Sequence, residues 1–286
     1  MLQHGRRRSA IDAANLACAA LAVALGGCAD EPLAATGERS VEDFESDEVG
    51  DTYRLRIRVP PDYDPGSGDA YPLIVQLDPT FAELQQYDIT VGLVSQHAKR
   101  GDWPEAIVVG VDYGDPTKRE RDYALPDPPD PDFEADGADR FYAMLEGELI
   151  PYLEDTYAIE PARRYLLGHS NGGVFAWYAA FRHDPAIGPP LFAGVIAADN
   201  GYDEALFTYE RWHHERADDF PLSIRATRAA YNGALQKITF DAMIERVRSR
   251  AFASLELDTE VLETDHGGAV WPSYERGLEF LLGGQR

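Results

Sequence analysis

The stretch Tyr165–Ala180, YLLGHSNGGVFAWYAA, decides the fold. Its opening run, from Arg164 to Gly168, is short and apolar, which suits a strand buried on both faces. It leads into Gly168-His169-Ser170-Asn171-Gly172, and Gly173 then opens an apolar segment of helical character. The expected order is strand, sharp turn, helix. A serine at the tip of such a turn adopts a strained backbone, and small neighbours keep the two limbs from colliding. The first amides of the new helix, with the positive end of its dipole, face the place where a negatively charged oxygen would form. Ser170 is therefore the candidate nucleophile and Asn171 the candidate backbone donor to an oxyanion. The competing reading is a serine in a merely structural glycine turn; the strand before it and the helix after it favour the nucleophile.

The flanks repeat the alternation. Leu73–Leu77, Ala106–Val111 and Phe192–Ala198 are further short apolar runs, expected as strands of a central parallel sheet. Tyr53–Val59, YRLRIRV, alternates apolar residues with arginine and predicts an antiparallel or edge strand with one wet face. PLSIRATRAAY and LELDTEVLE supply two later strands. Between them, DRFYAMLEGELIPYLEDTY sets Phe141, Leu145, Ile150 and Leu153 on one helical face, with Pro151 bending it. NGGVFAWYAAFRH, TFDAMIERVRSRAFA and WPSYERGLEFLL are three more helices. The fold class is α/β: a mostly parallel sheet with helices on both faces. Asp122–Asp139 is rich in Pro and Asp and reads as a loop long enough to overhang a site.

The chain has 286 residues and a formal net charge of −24. That charge makes nucleic acid an unfavourable partner and gives no attraction to an anionic membrane surface. Apolar residues at 44% and aromatics at 11% provide for a proper core. Residues 1–27 carry Arg6, Arg7 and Arg8 followed by an apolar run too short to span a membrane, the pattern of a signal peptide. Leu25-Gly26-Gly27-Cys28 resembles a lipoprotein cleavage box, with Cys28 as the lipidated residue; an ordinary secretory signal is the alternative. Residues 28–50, acidic and without periodicity, are expected as a tether, and 51–286 as a single domain. The expected location is the bacterial cell envelope, with membrane contact only through the lipid.

The order of these pieces resembles the esterase branch of the α/β-hydrolases, the group of siderophore (enterobactin) esterases and esterase D-like enzymes. The resemblance rests on VPPDYD then YPLIVQLD, AIVVGVDY then RERDYALP, GELIPYLEDTY, YLLGHSNGG, and TDHGGAVW ahead of the last helix. It implies the α/β-hydrolase fold and a serine carboxylic-ester hydrolase that needs no cofactor or metal and acts on a small-molecule ester. Acyl transfer on the same fold, or a catalytically dead binding lipoprotein, are the rival functions.

In this fold the catalytic histidine follows the final strand, and His266 in LETDHGGAVW is where the pattern puts it. The acid is open. Relatives commonly carry it after the seventh strand, where this chain offers Asn232 and Gln236, then Asp241; Asp199, after the sixth strand, is the alternative, and a Ser-His dyad is the third reading. Asp265 adjoins His266 and is discounted. A second oxyanion donor should come from the loop after LIVQLD, but Pro79 has no N–H, so Thr80 or Phe81 must replace it. Arg119 and Arg121 match the family's Arg-x-Arg-Asp segment, which lies near substrate in siderophore esterases; a structural ion pair is the alternative. His213 and His214 could suggest zinc, but adjacent residues rarely face one ion.

Overall fold

The computed structural model describes residues 35–81, 84–125, 137–184, 188–201 and 203–283. Eight strands form one sheet: β1 (Arg39–Ser46), β2 (Asp51–Arg58), β3 (Tyr71–Leu77), β4 (Ile107–Asp112), β5 (Ile159–His169), β6 (Gly194–Ala198), β7 (Ser223–Ala229) and β8 (Glu256–Leu262). Their spatial order is β1-β2-β4-β3-β5-β6-β7-β8. The six from β4 to β8 run parallel, while β2 is antiparallel to both β1 and β4. The expected strands are all present. The alternation of YRLRIRV has its physical counterpart in β2: Tyr53, Leu55 and Ile57 are buried, and Arg54 and Arg56 face outward. Arg58 is the exception, fully buried but paired with Glu105 at 2.7 Å.

Helices cover both faces. On one side lie α3 (Ala138–Met144), α4 (Ile150–Thr156), α5 (Asn171–Arg182), α6 (Ala205–His214) and α7 (Ala234–Arg250); on the other, α1 (Gln86–Arg100) and α8 (Val270–Leu282). The remaining helix, α2 (Pro116–Tyr123), follows β4. Successive residues of one strand feed opposite cores: Val75 and Leu77 belong to the first, Ile74 to the second. Phe141, Leu145, Ile150 and Leu153 are buried as the helical spacing requires. Pro151 cannot donate to the carbonyl four residues back, and the chain passes through a π turn, Leu145–Leu149, just before it.

The acidic tether requires correction. It was expected to reach residue 50, yet Arg39–Ser46 is the edge strand β1, in full antiparallel register with β2. An edge strand with one partner and mostly exposed side chains carries no hydrophobic alternation. Ladder hydrogen bonds and Phe44, packed against the core, hold it instead. The signal peptide, Cys28 and its lipidation lie outside the described residues, as do positions 126–136 of the Pro/Asp-rich loop. The ends of that loop are helical: Asp122 and Tyr123 close α2, and Ala138 and Asp139 open α3.

Candidate active site

At the carboxyl end of β5 the backbone turns through Ser170, with φ 61° and ψ −123°, and enters α5 at Asn171. Ser170 N–H donates to the Ala198 carbonyl at 3.0 Å, and its own carbonyl accepts from Val174 and Gly201 N–H, each at 3.1 Å. These bonds fix a residue that is itself in a strained region. The glycines are sterically required. A Cβ on Gly168 would stand 2.0 Å from the Gly172 carbonyl oxygen, and one on Gly172 would stand 2.8 Å from Asp78 Oδ2. Gly168→Ala is expected to lower stability by about 3 kcal/mol or more, read as an earlier midpoint in urea unfolding; an unchanged midpoint contradicts this account of the turn.

His266 sits on the loop after β8. Its neighbour Asp265 shapes that loop by accepting Gly268 N–H at 2.8 Å, so it is not the imidazole's partner. His266 Nδ1 instead lies 2.6 Å from Asp199 Oδ2, sixty-seven positions away in sequence. Asp199 follows β6 directly, is fully buried, and has φ 39°. Its other oxygen accepts Ala229 N–H at 2.7 Å and Asn232 Nδ2 at 2.5 Å. Burial pushes this carboxyl up, but hydrogen bonds from His266, Ala229 and Asn232 outweigh it, and the net shift is below the ordinary carboxylate range. It therefore stays ionised opposite the imidazole.

Asp241, set ahead of Asp199 in the sequence reading, is not brought to His266. Its carboxylate pairs with Arg228 at 3.1 Å on an exposed face of α7. Asn232, at the position where an acid was sought, is a donor to Asp199 rather than a replacement for it. No motif marks that role.

His169 also does more than its place in the motif suggested. Its Nε2 lies 2.9 Å from the His266 carbonyl and its ring centroid 4.4 Å from that of His266. A carbonyl only accepts, so Nε2 carries the proton. Burial lowers this imidazole to about 4, which keeps it neutral. It ties the histidine loop to the serine turn. His169, Asp199 and His266 bring ligand-type atoms within 4.8 Å of one another, but these residues already hold one another through hydrogen bonds from His169 Nε2 to the His266 carbonyl and between His266 Nδ1 and Asp199 Oδ2. A metal would have to replace them. His213 is buried against Phe220 at 4.2 Å and bonds the His183 carbonyl, a core histidine and not half of a zinc pair.

Asn171 is the first residue of α5, and first-turn amides have no acceptor within their own helix. The tips of β3 and β5 end level, since Gln76 pairs with Leu167, and this brings the loop carrying Thr80 beside the turn. Phe81 N–H donates to the Asp78 carbonyl at 3.3 Å, which leaves Thr80 as the candidate second donor. A cavity of about 460 Å³ opens between this loop and the one after β4.

Arg119 and Arg121, expected near substrate, bind carboxylates of the protein itself. Arg119 is 5% exposed and grips both oxygens of Asp78, at 2.7 and 2.9 Å. Arg121 pairs with Asp122 at 2.6 Å and Asp51 at 3.0 Å. Two of the five N–H donors of Arg119 are thereby committed to Asp78, the structural ion pair that was the alternative reading.

An open α/β sheet, a serine on a strained strand-to-helix turn and a buried aspartate bonded to a partly exposed histidine from the loop after β8 together define the α/β-hydrolase class. The solved structures agree on the fold. An IroE-like serine hydrolase from Shewanella oneidensis superposes with TM-score 0.68 at 22% identity, over 84% of this chain and 79% of that one. The BES protein from Bacillus cereus gives 0.69 at 19% identity, over 90% and 99%. Siderophore hydrolase EstB from Aspergillus nidulans gives 0.70 at 16%, over 89% and 98%. Among curated proteins, ferri-bacillibactin esterase BesA of Bacillus subtilis (strain 168) is 30% identical over 139 residues, 43% of this chain and 46% of that protein. The match thus spans less than half the length of that relative. The family model Esterase, described as "Putative esterase", matches residues 46–197, more than half of the chain. The chain belongs to this esterase family.

Proposed function

We propose that the chain hydrolyses small-molecule esters through an acyl-enzyme formed on Ser170. A serine hydroxyl is a weak nucleophile until a base takes its proton. His266 Nε2 removes that proton as Oγ attacks the ester carbon. Asp199 holds the Nδ1–H and stabilises the imidazolium that results. The amides of Asn171 and Thr80 receive the oxyanion. His266 then hands the proton to the departing alcohol oxygen, and a water molecule repeats the sequence in reverse roles to release the acid.

The observation that carries this reading is the 2.6 Å contact between His266 Nδ1 and Asp199 Oδ2, on a loop bonded to His169, the residue that precedes a serine in a strained turn. Through relatives named for siderophore ester hydrolysis, the reading extends to siderophore lactones as a substrate class to test beside short-chain esters. We further place the enzyme in the cell envelope, tethered by lipid on Cys28; the arginine triplet, the apolar run and Leu25-Gly26-Gly27-Cys28 support this.

A fluorophosphonate probe is the direct test. Oγ of Ser170 is expected to bond phosphorus as fluoride leaves, and the adduct mass should map to the peptide containing Ser170. Failure to label, or labelling at another serine, overturns the proposal.

A further inference from the structure

Asp78 and Arg119 form a buried ion pair that the chemistry above does not use. Asp78 is the first residue after β3, has φ 54°, and directly precedes Pro79 and Thr80. A non-glycine residue in left-handed backbone needs its surroundings to hold it there. What holds it is Arg119 from α2, with Nε on Oδ1 and Nη2 on Oδ2. The same guanidinium lies 4.0 Å over the ring of Phe81, on the far side of Thr80, and 5.3 Å from that of Tyr123. Asp78 Oδ2 in turn lies against the first turn of α5, where it would be 2.8 Å from a Cβ on Gly172. One planar cation therefore touches both flanks of Thr80, through a carboxylate wedged against the helix that starts at the serine.

We infer that Arg119 is a positioning residue for the oxyanion loop: by gripping Asp78 and covering Phe81 it holds the Asp78–Phe81 backbone level with the start of α5, so that Thr80 N–H and Asn171 N–H converge on one oxygen. This rests on the esterase reading. The need is greater here because Pro79 takes the place of a donor, which leaves the alignment to a residue one step further along the loop. Lysine would not substitute, being a point charge without the fork or the flat face. Removing Arg119 alone would leave a buried carboxylate that burial already pushes up to about 6 despite the arginine, so a neutral pair provides a gentler second variant.

The experiment compares the wild type with Arg119→Lys and with the double variant Arg119→Gln/Asp78→Asn, each normalised to active sites counted by fluorophosphonate labelling. With p-nitrophenyl butyrate, kcat is expected to fall about thirtyfold in both, short of the full loss of one oxyanion donor, while KM changes less than about threefold. The inhibition constant of a trifluoromethyl ketone, which the serine converts to an anionic hemiketal, should rise by the same factor as kcat falls. A merely structural role would lower the number of active sites without moving either constant. Unchanged kcat and ketone affinity per active site, in whichever variant folds, overturns the inference and leaves the esterase reading standing. Absence of Ser170-dependent turnover in the wild type overturns both.

Discussion

Replacing Ser170 with alanine is expected to lower kcat for a p-nitrophenyl ester by about 10⁵- to 10⁶-fold, with little change in KM. Alanine keeps a Cβ and has the same backbone preferences to overcome at φ 61°, so the turn, its bonds to Ala198, Val174 and Gly201, and the pairing of His266 with Asp199 remain. Only the nucleophile is lost. What persists should be the modest acceleration from the amides that face the carbonyl oxygen, acting on attack by water. Circular dichroism and the urea midpoint should match those of the wild type. A variant retaining more than about a hundredth of the activity would mean that hydrolysis takes place elsewhere on the chain.

Asp199→Asn is expected to reduce kcat by about 10⁴-fold, and the hydrogen-bond pattern gives the reason. Ala229 N–H and Asn232 Nδ2 both donate to Oδ1 of Asp199. In the variant, the amide oxygen must occupy that position, because two donors cannot face an NH₂ group. The NH₂ group then faces His266 Nδ1, which becomes the acceptor, and the imidazole proton moves to Nε2. A histidine protonated at Nε2 cannot take the serine's proton. The fold changes little, since the side chain keeps its shape and its two donors. Asp241→Asn is the internal control. Its carboxylate is more than half exposed and pairs with Arg228; a surface pair of this kind is worth about 1 kcal/mol or less, and kcat should stay within about twofold. Loss confined to Asp241→Asn would return the acid to the segment after β7. Loss in neither would leave a Ser-His dyad.

The sequence resolves those parts whose signal is local. Short apolar runs disclose the parallel strands because burial on both faces removes every polar position. The glycines around Ser170 disclose the turn because a Cβ at Gly168 would collide with the chain. His266 follows the last strand, and the loop that carries it is short and glycine-rich. β1 escapes such a reading. Its side chains are mostly exposed on both sides, and its existence depends on β2 as a partner. Arg119 escapes in another way: nothing in KRERDY tells whether a guanidinium faces a ligand or an internal carboxylate forty-one positions earlier.

What the sequence determined by itself is the chemistry offered: a serine on a strained turn, one histidine in the final loop, and several carboxylates able to serve it. Which carboxylate serves was decided by strand order. β6 lies between β5 and β7 in the sheet, so a residue at its tip stands beside the serine turn and within reach of the loop from β8. Asp241, the eighth residue of the helix that follows β7, is carried to the outer surface. Adjacency across a sheet is a property of the pairing of distant segments, and no stretch of sequence contains it.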